Sequence, residues 1–115
     1  MLKTLVWLGS SLYDMRHFPR NARQRAGYEL YLVQNGLQPS DWKSMPSVGA
    51  GVQEIRVHTQ LEHRVFYVAK FEEAIYVIHA FEKKSRKTAR HDLNLAKSRL
   101  SELLQRRQGR KETRQ

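Results

Sequence analysis

Residues 52–81 read VQEIRVHTQLEHRVFYVAKFEEAIYVIHAF, and this stretch decides the fold. It contains three runs rich in β-branched and aromatic residues with a period of two, at Val52–Val57, Arg64–Ala69 and Ala74–Phe81. The links between the runs are short and polar, as antiparallel hairpins require and parallel crossovers do not. The stretch therefore predicts a three-stranded antiparallel meander.

The chain before the meander predicts one strand, two helices and a loop. Lys3–Trp7 is short, apolar and rich in strand formers. Apolar residues three or four apart then predict a short helix over Ser11–Phe18 and a second helix from about Asn21 to the Asn35-Gly36 stop. Residues 35–50 are rich in Gly, Pro and Ser, which favours an irregular connection.

A last helix is predicted after the meander, from about Ala89 to Arg107, because apolar residues repeat there at helical spacing. The predicted order is β-α-α-β-β-β-α, an α+β fold with a small antiparallel sheet. The first strand joins this sheet, the two-helix hairpin covers one face, and the other face is expected to remain free. Residues 1–108 form a single domain, and 109–115 form a polar C-terminal tail that frays.

The composition excludes several classes of protein. With 115 residues and 13.6 kDa, the chain has room for one core and not for separate cofactor and substrate lobes. It has no cysteine, which excludes a disulfide framework, a thiolate nucleophile and a Cys-ligated zinc site. No apolar run is long enough for a membrane span, so we expect no membrane partner. The absence of cysteine fits a reducing compartment, and we expect a cytoplasmic location.

Basic residues are concentrated at the end of the chain. The formal net charge is +10, and residues 83–115 hold twelve basic residues against three acidic ones. A local excess of this size attracts polyanions and gains affinity from counterion release, which favours a nucleic-acid partner over anionic lipid. The alternative is a basic surface that serves solubility only.

Arg56 and Arg64 are the outward members of two neighbouring strands if side chains alternate. One register of that hairpin brings both guanidinium groups within reach of a single phosphate; otherwise each arginine only solvates the free face. Four further cations follow the third strand and act either as part of this patch or as a solvated tether: Lys83, Lys84, Arg86 and Lys87.

The sequence carries no motif for a metal, a cofactor or a serine nucleophile. His79 is interpreted as a core histidine, whereas His58 and His63 bracket a hairpin and are either exposed or proton donors. Cations without a metal or a nucleophile suit RNA cleavage, because the 2′-hydroxyl of the substrate is itself the nucleophile.

Several segments resemble the phage-derived HigB-like branch of the RelE/ParE toxin superfamily. The most specific is IYVIHAFEKKSRKT, residues 75–88, and the similarity spans roughly residues 4–100. The other segments that carry the resemblance are Gly51–Arg56, Arg64–Tyr67, Val6–Leu12, Phe18-Pro19 and the stretch from Gly27-Tyr28 to Asn35-Gly36.

The resemblance implies the toxin of a type II toxin–antitoxin pair, which cleaves mRNA on the ribosome without a cofactor and is neutralised by a helix-turn-helix antitoxin. It implies catalytic roles for Arg56, Arg64, Lys83 and Lys84. The cations expected to contact RNA or the ribosome are Arg86, Lys87, Arg90, Lys97 and Arg99.

The general base stays open, because the chain lacks a tyrosine near its C-terminus and has His63 where the branch usually has tyrosine. Tyr67, His58, His63 or a lysine are the alternatives. Two other functions also stay open: a ParE-like inhibitor of DNA gyrase, and a noncatalytic basic module that binds nucleic acid.

Overall fold

The computed structural model describes residues 2–113, with side chains through residue 109. Its elements confirm the predicted α+β fold and add one strand. In chain order they are β1 Leu5–Trp7, α1 Ser11–Arg16, α2 Arg20–Gln34, β2 Trp42–Ser44, β3 Val52–His58, β4 Glu62–Val68, β5 Ile75–Glu82 and α3 Arg90–Thr113.

The five strands form one sheet in the order β1-β5-β4-β3-β2. β3, β4 and β5 are the expected antiparallel meander, and β1 joins it by pairing parallel to β5. β2 pairs antiparallel to residues 53–55 of β3. The prediction of an irregular segment over residues 35–50 was wrong at Trp42–Ser44, because an exposed strand of three residues leaves no readable period in the sequence.

One face of the sheet, the hairpin face, packs against α1 and α2. The helices contribute an apolar stripe that buries the alternate residues of β3, β4 and β5. The buried apolar residues of the helical hairpin are Met15, Ala22, Ala26, Leu30 and Val33 on the helices and Phe18 in the turn between them, and their partners include Ile55, Val57, Val65, Tyr67 and Val77. This confirms the predicted position of the helical hairpin.

The opposite face, the α3 face, is partly covered. Ala96, Leu100 and Leu103 of α3 pack with Phe66, Val68, Tyr76 and Ile78 of the sheet. The expectation that this face is free was therefore wrong for the part beneath α3, since the apolar stripe of that helix needs a surface to bury it. The part near the end of β3 stays accessible, and the side chain of His58 there is half-exposed.

Helix α3 is longer than predicted and continues beyond Arg107 to Thr113. Four of the six residues from 108 to 113 are glutamine, arginine, lysine or glutamate, which have good helix propensity and so extend the helix without an apolar period. The predicted tail from Gly109 is therefore helical as far as Thr113, and residues 114–115 lie outside the described residues. Within residues 2–113 none of the helices has the length and apolarity that a membrane crossing needs.

Candidate functional site

The β3–β4 hairpin places Arg56 and Arg64 directly opposite each other. The short link after β3 sets this register, because Thr59 bonds Leu61 through both its backbone and its hydroxyl. By alternation both arginines lie on the α3 face. The group formed by Glu54, Arg56, His58, Glu62 and Arg64 is called the arginine end.

Both arginines converge on the buried carboxylate of Glu54. Arg56 Nε donates to Glu54 Oε1 at 3.2 Å, and Arg64 Nε lies 3.9 Å from Glu54 Oε2. The Glu54 side chain is 3% exposed. The structure therefore brings the two predicted phosphate ligands to one point, where an anion already balances their charge.

The two guanidinium groups differ in accessibility. Arg64 is 6% exposed, and its Nη1 donates to Glu62 Oε1 and to the backbone oxygen of His63, both at 3.0 Å. Its Nε is buried and makes no hydrogen bond. Arg56 is 32% exposed, and neither Nη has a hydrogen-bond partner among the described side chains. The two Nη groups of Arg56, which we call its open fork, are therefore accessible, whereas the guanidinium of Arg64 is buried.

His58 lies between two carboxylates beside this fork. Its Nε2 is 2.6 Å from Asp41 Oδ2, and its Nδ1 is 2.7 Å from Glu62 Oε1. Both nitrogens donate only in the imidazolium form, so the bonds to Glu62 and Asp41 raise the pKa of His58 above its usual value. The bond to His58, helped by Arg64, lowers the pKa of Glu62. His58 is consequently a half-exposed histidine whose imidazolium form is favoured, two residues after Arg56 on the same strand.

Tyr67 and His63 lie on the hairpin face, away from the arginine end. The Tyr67 hydroxyl donates to Gln53 Oε1 at 2.5 Å, and burial raises the pKa of this tyrosine. The ring of His63 packs 4.3 Å from that of Phe18, and burial lowers the pKa of this histidine. Among the three named alternatives for proton transfer, His58 is the one that shares a face with the arginines.

Lys83 lies next to the arginine end through its backbone. Its N–H donates to Glu62 O at 2.7 Å, which extends the β4–β5 ladder one residue beyond β5. The next cations are exposed on the segment that leads to α3 and on the helix itself: Lys84, Arg86, Lys87, Arg90 and Lys97. Lys83 therefore lies beside the arginine end, whereas the other five cations are exposed on the surface.

Arg99 points into the molecule. Its Nη1 donates to Ile78 O at 3.0 Å and its Nη2 donates to Ser10 Oγ at 2.9 Å. The Nη1 is also 3.4 Å from His79 Nδ1, and His79 Nε2 donates to Asp92 Oδ1 at 2.7 Å. We call His79, Asp92 and Arg99 the α3 junction, because they tie α3 to β5.

A β-bulge in β5 puts His79 in this position. Phe66 pairs with His79 and Tyr67 pairs with Val77, so Ile78 is left without a partner. His79 is 4% exposed and hydrogen-bonded, which confirms its interpretation as a core histidine. Burial lowers the pKa of His79, and this effect exceeds the opposing effect of Asp92.

Sequence reasoning missed the acidic members of the site and one cation. Glu54 is two residues before Arg56, and that spacing on a strand was the available signal. Asp41 and Lys43 gave no signal, because β2 was not predicted; Lys43 pairs with Glu54 and is exposed. Through residue 109, no group of three or more histidine or carboxylate side chains is placed to hold a metal ion.

A family model matches most of the chain, from residue 13 to residue 101. A search of curated proteins found no similar sequence. The family model described as phage-derived protein Gp49-like (DUF891) matches residues 13–101, which include α1 from its third residue, all of α2 and the whole arginine end. The chain therefore belongs to the phage-derived Gp49-like family, a RelE/toxin-like family.

Proposed function

We propose that the protein is the toxin of a type II toxin–antitoxin pair, of the HigB-like kind, and that it cleaves mRNA on the ribosome. The observation that carries the proposal is the convergence of Arg56 and Arg64 on Glu54, with the fork of Arg56 open and His58 beside it. A guanidinium fork matches the oxygens of a phosphodiester. Glu54 holds the arginines in place, and Glu62 occupies Arg64 Nη1 until a phosphate approaches.

The proposed reaction is an in-line displacement at phosphorus. The 2′-oxygen of the substrate forms a bond to phosphorus while the bond from phosphorus to the 5′-oxygen breaks. The 2′-hydroxyl proton passes to water, and His58 gives its proton to the departing 5′-oxygen. Arg56 and Arg64 stabilise the charge on the phosphoryl oxygens, and Lys83 and Lys84 orient the message. The products are a 2′,3′-cyclic phosphate and a 5′-hydroxyl.

The surface cations extend the interface toward the ribosome. Arg86, Lys87, Arg90 and Lys97 are exposed and contact ribosomal RNA in this proposal. Arg99 is left out of the RNA contacts, because Ile78 and Ser10 hold its guanidinium. The partner that neutralises the protein is a helix-turn-helix antitoxin.

The test is cleavage of a defined message in the A site of purified ribosomes. We expect a cut that leaves a 2′,3′-cyclic phosphate, and no cut when the nucleotide before the scissile bond is 2′-deoxy. Arrest of DNA supercoiling by gyrase with the message intact would instead support the gyrase alternative. Salt-sensitive binding with neither effect would support the noncatalytic module.

A further inference from the structure

A cleft opens beside the arginine end, along the outer edge of β3. β2 pairs with β3 only over residues 53–55, and beyond them the backbone N–H of Arg56 bonds the carbonyl of Asp41 at 2.9 Å. The space between this edge and α2 has a volume of about 350 Å³. Its lining includes Asn21, Arg25, Ser40, Asp41, Arg56 and His58.

One wall of the cleft is fixed by a buried carboxylate. Glu29 is 1% exposed and accepts from the backbone N–H of Ser40 at 2.8 Å. Arg25 bonds Glu29 at 3.0 Å and donates to Ser40 Oγ at 3.2 Å. Residue 40 and the following Asp41 are thereby held against α2, so the cleft is formed before any ligand enters.

Two polar atoms in the cleft are available to a ligand. Asn21 uses its Oδ1 to accept from the N–H of Ala22, and Asp41 uses its Oδ2 for His58. Asn21 Nδ2 and Asp41 Oδ1 have no hydrogen-bond partner within residues 2–109. They offer one donor and one acceptor, which is the pattern that the edge of a nucleobase satisfies.

Arg56 and His58 belong both to the cleft and to the arginine end. A group in the cleft therefore lies next to the phosphate that the arginines hold. In single-stranded RNA the group attached closest to a phosphate is the sugar with its base, and unstacked bases are what proteins read. We propose that the cleft is a nucleobase subsite, which binds one base of the message beside the scissile phosphate through Asn21 and Asp41.

This inference rests on the proposed function and names how the same site selects its substrate. The test measures dissociation constants of the full chain for the four nucleoside 3′-monophosphates and for ribose 5-phosphate, by NMR titration. We expect at least one nucleotide to bind about tenfold more tightly than ribose 5-phosphate, since a pair of base hydrogen bonds is worth about that.

Variants test whether the gain in nucleotide affinity over ribose 5-phosphate comes from the cleft. Asn21→Ala should lose the gain for the nucleotide and leave the affinity for ribose 5-phosphate unchanged. Asn94→Ala removes an exposed asparagine of α3 and should change neither. On ribosomes, Asn21→Ala should also broaden the sequence preference at the cut.

The outcomes separate the subsite from the cleavage reaction. Nucleotides that bind no more tightly than ribose 5-phosphate, or a gain that survives in Asn21→Ala, would overturn the subsite while leaving cleavage intact. A nucleotide gain that depends on Asn21, together with an uncut message, would retain the subsite and overturn cleavage. Absence of binding by every probe would also overturn the subsite, and the ribosome assay alone would then decide cleavage.

Discussion

The arginine end and the α3 junction are two regions of the same sheet face, and both are built from arginine, histidine and carboxylate side chains. At the arginine end, the side chain of His58 is half-exposed and lies between Asp41 and Glu62. At the α3 junction, His79 is buried, with Asp92 on one side of its ring. The residue types are the same, and the solvent exposure differs.

The two histidines have opposite pKa shifts because they differ in burial. The carboxylates dominate at His58 and raise its pKa, whereas the loss of water dominates at His79 and lowers its pKa. Arg99 follows the same rule, because burial lowers its pKa and the backbone of Ile78 takes its hydrogen bond. The comparison indicates that the junction is buried within the fold, whereas Arg56 and His58 of the arginine end stay accessible.

The largest expected effect is a loss of stability when Glu54 is removed, because both arginines face its carboxylate. Glu54→Ala removes the carboxylate that faces both arginines and leaves Arg64 buried with less compensation. We expect the free energy of unfolding to fall by about 3 kcal/mol, measured by urea denaturation. Glu72→Ala, at an exposed glutamate, is the control. A loss below about 1 kcal/mol would show that the arginines do not depend on Glu54.

Matched carboxylate variants test the comparison directly. Asp92→Ala leaves the buried His79 without its acceptor, and we expect a loss of about 2 kcal/mol in unfolding free energy. Glu62→Ala breaks contacts of a carboxylate that is 41% exposed, and we expect a loss of less than about 1 kcal/mol. Equal losses would remove the distinction between the two regions.

The pH dependence of stability should have opposite signs at the two histidines. The folded pKa of His58 is raised, so its contribution is fully present below its ordinary value of 6.5 and is lost as the pH rises through the folded pKa. The folded pKa of His79 is lowered, so its contribution is present above 6.5 and is lost as the pH falls through the folded pKa.

Variants of the two histidines measure how the stability contribution of each depends on pH. Urea denaturation from about pH 5 to about pH 8 should show the stability deficit of His58→Gln shrinking with rising pH, and that of His79→Gln growing. Parallel slopes for the two variants would contradict the assignment of the two histidines.

The smallest expected effect comes from Glu62, the carboxylate that contacts Arg64 when no ligand is bound. Glu62→Gln removes a negative charge beside Arg64 and should tighten the binding of ribose 5-phosphate by about threefold, because a charge pair whose carboxylate is 41% exposed is worth less than about 1 kcal/mol. The measurement is an NMR titration, with Glu102→Gln as the control on α3. Weaker binding in Glu62→Gln would mean that Glu62 positions the phosphate ligands instead of competing with the phosphate.

Much of the fold could be predicted from the sequence, because long periodic segments carry their structure locally. The meander and the helical hairpin followed from alternation and helical spacing. The sequence left the hairpin register open, and the structure has the register that pairs Arg56 with Arg64. β2 could not be predicted, since three exposed residues show no period.

The rest of the site depends on contacts between distant segments. The bulge at Ile78 shifts His79 with respect to simple alternation, and the sequence carries no sign of it. Asp41 reaches His58 only because β2 places it there. The burial that separates His63 and Tyr67 from the arginines is likewise a property of the packed hairpin face.

The central claim is that the open fork of Arg56 holds the scissile phosphate, and one rate comparison tests it most directly. Wild type, Arg56→Ala and the surface control Arg106→Ala are compared in cleavage of one ribosome-bound message, with folding of each variant verified. The account predicts a loss of about 10²-fold or more for Arg56→Ala, as for removal of a donor to a transition-state oxyanion, and no loss for Arg106→Ala. An Arg56→Ala protein that cuts the message at the wild-type rate would contradict it.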